Sequence, residues 1–560
     1  MKEYLRGVLV VMFLVCGVAF VEAKPTSKTD SITICGRVLC DGVGVPNVGV
    51  SDGVHIVLTD SLGRYAISSH KVQQSVFVIT PSGYEPTCRK RMLPTFWAAL
   101  KKRHDVQERH DFHLVKRDNK NHRVLYLSNL RLHNSNDDVV QFKRKIIPAV
   151  KSVVEEVKDS IPVYTFLLGD ISWNRNWYSR EFDVSDAVST IAMMRYPTML
   201  YTVMGGNDND GSVPCKGLTD YEAERIYTMG CGPKYYSLNI GDVHYVVLDN
   251  SVFRNEPGNG RYPTEIVGKC NFDRFVTADQ LEWLRKDLAL VKDKSRPVVV
   301  CMHNAAIWPG SKGRVSRRFT HREQVDSLVN CFNGFKSVHF MTSSTWIRRI
   351  TKSNREMQNI TEHAVASTSG DSWGRGYHGY RLIHNGGADA GFEVMEIEGK
   401  KMKWYPYSYA DGRKPFRVYD MSSVAKYCRE NQDMENLYRE YPKTFTNYTK
   451  GFDNFVYVNY WGTEPKSKIE VFENDKKLRV RRVYHTDPLY LVTSHSFHYK
   501  NARNKPRFGR NNSQHMFRAK RDSLNSTIRV RTTSPFGDVY EEVFQGEKDF
   551  TLELKQKRRL

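Results

Sequence analysis

The feature that most constrains the fold is a series of short apolar runs, each of which ends in small or polar residues. Val163 to Leu168 ends at Gly169-Asp170, and Met199 to Met204 ends at Gly205-Gly206. Helical stretches separate these runs along the chain. Strands that alternate with helices are typical of an α/β sheet covered by helices. In such sheets the chemistry lies on the loops at the strand ends, so function is sought there.

Two β-rich segments flank this α/β region. Residues 31–118 alternate in the period of a half-buried strand and carry regular turn signals, which predicts a small antiparallel β-sandwich. Residues 119–410 form the α/β part, and residues 411–560 return to strand-like alternation. The predicted fold is therefore multidomain: an N-terminal β-sandwich, a central α/β sandwich and a C-terminal mainly β domain.

The first 23 residues have the pattern of an export signal. Lys2 and Arg6 precede the apolar run Val8 to Phe20, and Val21-Glu22-Ala23 offers a cleavage site. The run is too short to span a bilayer comfortably, and no later stretch is apolar enough to do so. The sequence thus predicts a signal peptide over residues 1–23 and an extracytoplasmic chain (periplasmic, secreted or surface-associated) with no transmembrane segment.

The cysteines give little further guidance. Phe13-Leu14-Val15 before Cys16 lacks the small residue of a lipoprotein signal, which disfavours a lipid anchor. The ten cysteines show no CxxC or Cys/His zinc spacing, so no structural metal is assigned and the disulfide pairing stays open.

The net charge of +22 would attract anionic or phosphorylated ligands, although a basic surface can also serve solubility alone. The most basic stretch, Arg503 to Arg521, lacks the regular aromatic spacing of a nucleic-acid stacking surface. We interpret it as a solvated flexible loop and expect no nucleic-acid partner. Protein partners stay unknown.

Motifs in a fixed order run through nearly the whole chain. The first part carries Gly36-Arg37-Val38, Thr59-Asp60 and Gly63-Arg64-Tyr65; the middle carries Leu168-Gly169-Asp170, Gly241-Asp242-Val243-His244-Tyr245 and Leu248-Asp249-Asn250; the end carries Asp487-Pro488-Leu489, His515-Met516-Phe517 and Phe536-Gly537-Asp538. In this order they resemble the three-part calcineurin-like phosphoesterases of exported bacterial proteins. The resemblance implies a metallophosphoesterase-like core and phosphoester hydrolysis by two divalent metals that polarise the phosphoryl group and activate water.

Most of the metal ligands that the resemblance implies are replaced. In the first loop, Asn129 stands where the family has Asp, and Arg131 stands where it has His or Gln. Arginine keeps its proton and cannot ligate a metal. In the third loop Gly206 replaces the ligand Asn, and Asn207 replaces the acid His.

The last loop, Ser343-Ser344-Thr345-Trp346, has lost both of its ligand histidines, at Ser344 and Trp346. Asp170 and His303 are what remains of the ligand set. Two protein ligands rarely hold a catalytic metal, so we expect no metal or one weakly bound divalent ion. Two metals (Mn, Zn or Fe) are expected only if this mapping of the loops is wrong.

These substitutions predict a family member that has lost catalysis and uses the old cleft to bind a ligand. Arg131, Asp208 and Trp346 are the candidate ligand-binding residues, and an anion is the ligand that Arg131 favours. A divergent, metal-dependent phosphoester hydrolase is the alternative, and an adhesion or assembly module built on the β-rich ends is the second alternative.

Each candidate also has a purely structural interpretation. Asp170 can be a turn or cap carboxylate, and His303 a satisfied buried imidazole. His133 could replace a ligand if the first loop were shifted. The tryptophans near the site loops can form an aromatic floor for a sugar or lipid headgroup, or can simply be packing: Trp173, Trp177, Trp308, Trp346 and Trp373.

Overall fold

The computed structural model describes residues 31–552, apart from residues 91, 259–265, 310–314, 353–356, 358, 510 and 511. The predicted signal peptide, residues 1–23, lies outside the described residues. The predicted layout of a β-sandwich, an α/β core and a C-terminal mainly β domain is confirmed.

The N-terminal domain packs two small sheets face to face. One has the order β11-β1-β12-β7, with β2 and β5 also on β1, and the other has the order β10-β6-β3-β4. Its strands are β1 Ile34–Cys40, β2 Val43–Gly44, β3 Gly49–Ser51, β4 Ile56–Leu58, β5 Arg64–Ile67, β6 Ser75–Ile79, β7 Tyr84–Pro86, β8 Cys88–Arg89, β9 Leu93–Pro94, β10 Trp97–Ala99, β11 Glu108–Arg109 and β12 Phe112–Lys116.

The sandwich is mixed, whereas the turn signals predicted a purely antiparallel one. β1 pairs in parallel with β11 and with β12, and Val38 lies opposite Phe112. The chain first crosses the second sheet and then returns beside β1 in the same direction. Turn spacing reports hairpins between consecutive strands and carries no information about such a return.

The α/β core consists of two sheets packed on each other. The first has the order β15-β14-β13-β26-β27 and the second β16-β17-β20-β23-β25-β24. The strands are β13 Asn121–Leu127, β14 Val163–Leu168, β15 Met199–Val203, β16 Tyr236–Ile240, β17 Val243–Val247, β18 Ser251–Phe253, β19 Phe272–Arg274, β20 Val298–Cys301, β21 Ile307–Pro309, β22 Val315–Arg317, β23 Val338–Thr342, β24 Arg349–Lys352, β25 Ile360–Ala364, β26 Gly391–Glu398 and β27 Lys401–Ser408.

Helices cover the outer faces of these sheets, as the apolar runs predicted. The α-helices are α1 Asp138–Gln141, α2 Ile147–Glu155, α3 Trp177–Arg180, α4 Val184–Met193, α5 Thr219–Ala223, α6 Arg225–Gly230, α7 Ala278–Leu290, α8 Glu323–Asn330 and α9 Trp373–Tyr377. A π-helical stretch, Phe142–Ile146, joins α1 to α2, and short 3₁₀ turns lie at Asn174–Asn176 and Gly206–Asp208.

Alternation along β13 divides its side chains between two apolar clusters. Val124 and Tyr126 face the second sheet, whereas Leu125 and Leu127 pack among the residues of the outer helices. Between the sheets, the ring of Phe166 stacks on Tyr245 at 5.6 Å between centroids. The central strands β13, β14 and β15 run parallel, as do β17, β20, β23 and β25, so their carboxyl ends meet at one edge.

The C-terminal domain has two four-stranded sheets, β28-β29-β33-β32 and β31-β30-β34-β35, with helices at one side. The elements are β28 Phe416–Asp420, α10 Met421–Glu430, α11 Gln432–Glu440, β29 Phe455–Tyr460, β30 Lys468–Glu473, β31 Lys476–Lys477, β32 Val480–Val483, α12 Pro488–Tyr490, α13 Phe497–Asn501, β33 Met516–Lys520, β34 Thr527–Thr533 and β35 Val539–Gln545. A π-helical stretch, Leu491–Ser496, joins α12 to α13.

The basic stretch Arg503 to Arg521 is only partly a loop, which corrects its interpretation as a solvated flexible segment. Its last residues form the inner strand β33. Arg521 is buried and donates to both carboxylate oxygens of Asp420, at 2.8 and 3.0 Å. The basic stretch that composition predicts to be exposed therefore includes a buried ion pair. Composition does not reveal its acidic partner, Asp420, because that residue lies about a hundred positions earlier in the chain.

None of the described helices is long and apolar enough to cross a membrane. The cysteines of the described residues are all unpaired, including Cys35 and Cys40 of β1.

Candidate functional site

The site lies where the carboxyl ends of the core strands meet. Five loops converge there, and they follow β13, β14, β15, β20 and β23. Asn129 of the first loop donates from Nδ2 to the backbone oxygen of Ser343 in the last loop, at 2.8 Å. This bond crosses from one sheet to the other, so the two halves of the core close on a single cleft.

Asp170 is the centre of the site and is almost fully buried. Its Oδ2 accepts hydrogen bonds from Arg131, from Nη2 at 2.9 Å and from Nε at 3.2 Å. The same oxygen accepts from Nδ2 of Asn207 at 2.6 Å, and Oδ1 accepts from the backbone N–H of Asn207 at 3.0 Å. The two residues that replace the expected His or Gln and the expected acid His thus both bind this carboxylate.

His303 approaches Asp170 from the other sheet. Its Nε2 lies 3.4 Å from Oδ1 of Asp170. Its Nδ1 lies 2.8 Å from Oγ of Ser343 and 3.1 Å from the backbone oxygen of Leu168. The imidazole is therefore oriented on both sides by the protein, as a satisfied buried histidine would be.

The charge of Asp170 is stabilised by these neighbours. Burial acts to raise the pKa of Asp170, but the electrostatic effects of His303 and Arg131 and the hydrogen bond from Asn207 outweigh it and hold this pKa below its usual range. Asp170 is an ionised carboxylate at neutral pH, neutralised by the guanidinium beside it.

Arg131 is held between aromatic rings. Its guanidinium carbon lies 4.1 Å from the ring centroid of Trp346 and 5.8 Å from that of Trp173. Its side chain is 25% exposed, and within the described part of the chain Nη1 makes no hydrogen bond. Arg131 and Trp346, predicted as ligand-binding residues, are thus in contact with each other, and one edge of the guanidinium remains open to an anion.

Phe272 occupies the space beside Gly206. A Cβ at Gly206 would lie 2.1 Å from Cε1 of the Phe272 ring, closer than real atoms approach. The ring comes from β19, which pairs with β18 next to the third site loop. The place of the expected ligand Asn is therefore filled by an apolar side chain from another element.

Asp208 is buried, and its carboxylate binds the site loops themselves. It is fully buried, and Oδ1 accepts from the backbone N–H and the hydroxyl of Ser172, at 3.0 and 3.2 Å. Oδ2 accepts from the backbone N–H groups of Gly205 and Ile171, at 3.0 and 3.2 Å. Burial, and then the charge of Asp170, raise the pKa of Asp208 to about 7 against the effect of these donors. All of its acceptor capacity goes to the second and third loops, so in this structure it is not open to a ligand.

Two family models match the chain on either side of these site loops. The model described as the N terminal of calcineurin-like phosphoesterase matches residues 32–117, and that described as the C terminal of calcineurin-like phosphoesterase matches residues 362–540. The chain belongs to the calcineurin-like phosphoesterase family.

Several solved structures of phosphatases and hydrolases are similar to the chain. A dimetal phosphatase from Danio rerio is 11% identical, covers 51% of this chain and 96% of its own, and has a TM-score of 0.33. A purple acid phosphatase from yellow lupin is 13% identical over 52% of each chain, with a TM-score of 0.33, and phosphopantetheinyl hydrolase from Mycobacterium tuberculosis is 12% identical over 46% of this chain and 93% of its own, with a TM-score of 0.22. No curated protein matches the chain. The family assignment therefore rests on the two family models.

The donor set does not fit the two metals of the family. Both oxygens of Asp170 are engaged, and Oδ2 faces a fixed cation. Among the described residues, no group of three His, Cys, Asp or Glu side chains is placed to hold a metal ion. His133 does not substitute, because its Nδ1 lies 2.7 Å from the backbone oxygen of Arg131 and its ring packs against Trp173.

The remaining replaced positions hold the last loop in place. The backbone N–H of Ser344 donates to the backbone oxygen of His303 at 2.9 Å, and Oγ of Ser344 accepts from the N–H of Ala305 at 3.1 Å.

The backbone is strained at four positions of the site. Asn129, Arg131, Asp170 and Trp346 all have positive φ, between 45° and 63°. Such a conformation costs a non-glycine residue about 1–3 kcal/mol, so these loops keep a strained backbone at the site positions.

The sequence pattern assigns no role in the site to three residues, although it locates one of them, Ser343, in the last loop. Phe272 and Ser343 act through contacts with distant loops. Glu362, on β25, accepts from the N–H groups of Ala306 and Ile307 and from the hydroxyl of Thr342. Burial raises the pKa of Glu362 to about 8. Its position under the site depends on the pairing of β23 with β25, which sequence spacing does not give.

The tryptophans near the site separate into two groups. Trp177 and Trp373 are buried with the outer helices of the first sheet, so they are packing residues. Trp173 and Trp346 are partly exposed and flank Arg131, whereas Trp308 stacks under Arg349 at 3.8 Å and Arg318 at 4.9 Å. The partly exposed tryptophans therefore pack against arginines, and together they do not form a continuous aromatic floor in the described part of the chain.

Proposed function

We propose that the chain is a catalytically inactive member of the calcineurin-like phosphoesterases, in which Arg131 supplies to Asp170 the positive charge that the family's metals would supply. The observation that carries this proposal is the pair of hydrogen bonds from Arg131 to Oδ2 of Asp170. A guanidinium keeps its charge at all ordinary pH values, so it does not give way to a metal as a histidine would.

Two further contacts support the same conclusion. Asn207 cannot transfer a proton to a leaving group as the family's histidine does, and here its amide is committed to Asp170. Phe272 fills the space in which a ligand side chain at position 206 would lie. Restoring a metal site would therefore require changes on several elements at once.

The cleft is proposed to bind an anionic ligand through the open edge of Arg131, against the face of Trp346. Charged hydrogen bonds from a guanidinium fit carboxylate and phosphate groups, and the stacking on Trp346 fixes its plane. Asp208 is left out of this role because it is buried.

Metal content and hydrolysis together test the inactive state. The full chain is exposed to Mn²⁺ and Zn²⁺, desalted and analysed for metal, and p-nitrophenyl phosphate esters are offered as substrates with and without Mn²⁺. We expect no stoichiometric metal and no hydrolysis above the rate without protein.

The variant His303→Ala is the control. About two metals per chain, as two-metal catalysis requires, with Mn²⁺-dependent hydrolysis that His303→Ala abolishes, would overturn the proposal and identify the chain as a divergent hydrolase.

We also propose that the chain acts outside the cytoplasm, because of the basic and apolar start of the sequence. N-terminal sequencing of the protein after export is expected to begin at Lys24. Recovery of the chain only from the cytoplasm with its first residues intact would contradict this.

A further inference from the structure

A second cavity lies between the α/β core and the C-terminal domain. Its volume is about 400 Å³, within the range of small-molecule sites (about 300–1,000 Å³). The core lines it with Arg349 and Ile350 at the start of β24, and the C-terminal domain lines it with Arg482, Gln514 and His515. None of these residues belongs to the cleft around Asp170.

Arg349 is fixed in place with unused donor capacity. Its Nη2 donates to Oε1 of Gln514 at 2.6 Å, and its guanidinium carbon lies 3.8 Å from the ring centroid of Trp308. Its Nη1 is buried and has no partner among the described residues. Burial, and then the charge of Arg318, lower the pKa of Arg349 to about 10, which leaves it charged at neutral pH.

His515 likewise has polar atoms that make no hydrogen bond within the described structure. The residue is 5% exposed, and neither ring nitrogen has a hydrogen-bond partner in the described structure. Burial, and then the nearby positive groups, lower its pKa to about 3, so the imidazole is neutral and offers one N–H donor. Buried polar atoms without partners are rare in folded proteins, so Arg349 and His515 both keep hydrogen-bonding capacity that the described residues do not use.

The cavity carries an excess of positive charge. Its one carboxylate, Glu464, is already bonded to Arg348 at 2.6 Å and to the indole N–H of Trp404. Arg349 and Arg482 make no ion pair with any described residue; Arg482 lies over the ring of Phe517 at 5.4 Å. Two unpaired guanidinium groups and a neutral imidazole therefore line one cavity.

We infer that this cavity is a binding site for a small multivalent oxyanion of the phosphate or sulfate kind. Arg349 and Arg482 supply charged donors from two domains, and the neutral ring of His515 lines the cavity beside them. Guanidinium groups that approach from different elements suit an anion with oxygens in several directions. A ligand held in this way bridges the core and the C-terminal domain.

Calorimetric titration of the full chain with inorganic phosphate tests the inference, with sulfate and acetate titrated in parallel. We expect a saturable phosphate or sulfate site that persists in Arg131→Gln, which lacks the guanidinium of the cleft, and much weaker binding of singly charged acetate. Arg482→Met is expected to weaken phosphate binding roughly tenfold or more, the effect of losing a charged hydrogen bond.

Arg481→Met is the matched control. It removes the same charge from the adjacent position of β32, which is not among the residues that line the cavity, so binding should not change. Arg131→Gln separates this site from the cleft of the proposed function and should also leave this binding unchanged.

Three outcomes would overturn the inference: no saturable binding by the wild-type chain, equal weakening by Arg481→Met and Arg482→Met, or loss of the site in Arg131→Gln alone. Arg349→Met replaces the guanidinium beside Trp308 by an apolar side chain and should reproduce the effect of Arg482→Met. Thermal unfolding of each variant confirms that it is folded.

Discussion

Asp208 connects the second and third site loops through both of its carboxylate oxygens. Four donors converge on it, from Gly205, Ile171 and Ser172, and all of them are buried. A carboxylate can accept at both oxygens, whereas an amide accepts at one and donates at the other. The residue type is therefore fixed by the loops themselves and not by a ligand.

Asp208→Asn is expected to lower the free energy of unfolding by about 2 kcal/mol or more, because its amide nitrogen would face two N–H donors that lose their acceptor. Denaturant unfolding measures the change. The control Asp159→Asn makes the same substitution in an exposed turn and should stay within about 0.5 kcal/mol of wild type. Equal effects in the two variants would contradict the structural role of Asp208.

At the scale of elements, β19 decides what the third site loop can hold. The strand places the Phe272 ring against Gly206, so the loop accepts no side chain there. The Phe272 ring fits only because position 206 is a glycine, although 66 positions separate the two residues in the sequence. An asparagine restored at position 206 would therefore clash with the Phe272 ring, whether or not a metal is present.

Gly206→Asn is expected to destabilise the chain by about 1–3 kcal/mol through overpacking and to bind no Mn²⁺. The penalty should shrink in a Phe272→Ala background, because the ring that it meets is gone, and a double-mutant cycle in urea measures this coupling. Gly217→Asn is the control, since no atom lies within 4 Å of a Cβ there. Additive effects of the two site changes would refute the contact.

At the scale of the whole molecule, a buried ion triad joins the core to the C-terminal domain. Arg348 follows the last site loop and donates to Glu393 of β26 at 2.8 and 2.7 Å. It also donates to Glu464 of the C-terminal domain at 2.6 Å. All three side chains are almost fully buried, so each charge depends on the others.

Arg348→Ala should leave two buried carboxylates without a cation and cost about 3–5 kcal/mol of stability. We expect the C-terminal domain to unfold separately, as a second transition in calorimetry. Lys476→Ala breaks the exposed pair with Asp522 and should change stability by less than about 1 kcal/mol. A single unshifted transition in Arg348→Ala would show that the triad does not couple the domains.

Local pattern determined the three-part layout and the strand ends on which the site lies. Apolar runs that end in polar residues report buried strands, and the order of motifs indicated the family. The sequence also identified the replaced positions Asn129, Arg131, Gly206 and Asn207, because the motif residues next to each one locate it in the family's loops.

Only the tertiary structure decided what these residues do. The Arg131–Asp170 pair, the Phe272 ring beside Gly206, the burial of Asp208 and the cavity at Arg349 and His515 all depend on contacts between distant segments. The parallel return of β12 beside β1 is of the same kind. Sequence periodicity reports which face of an element is buried, but the partner on that face is chosen by how the sheets, loops and domains pack together.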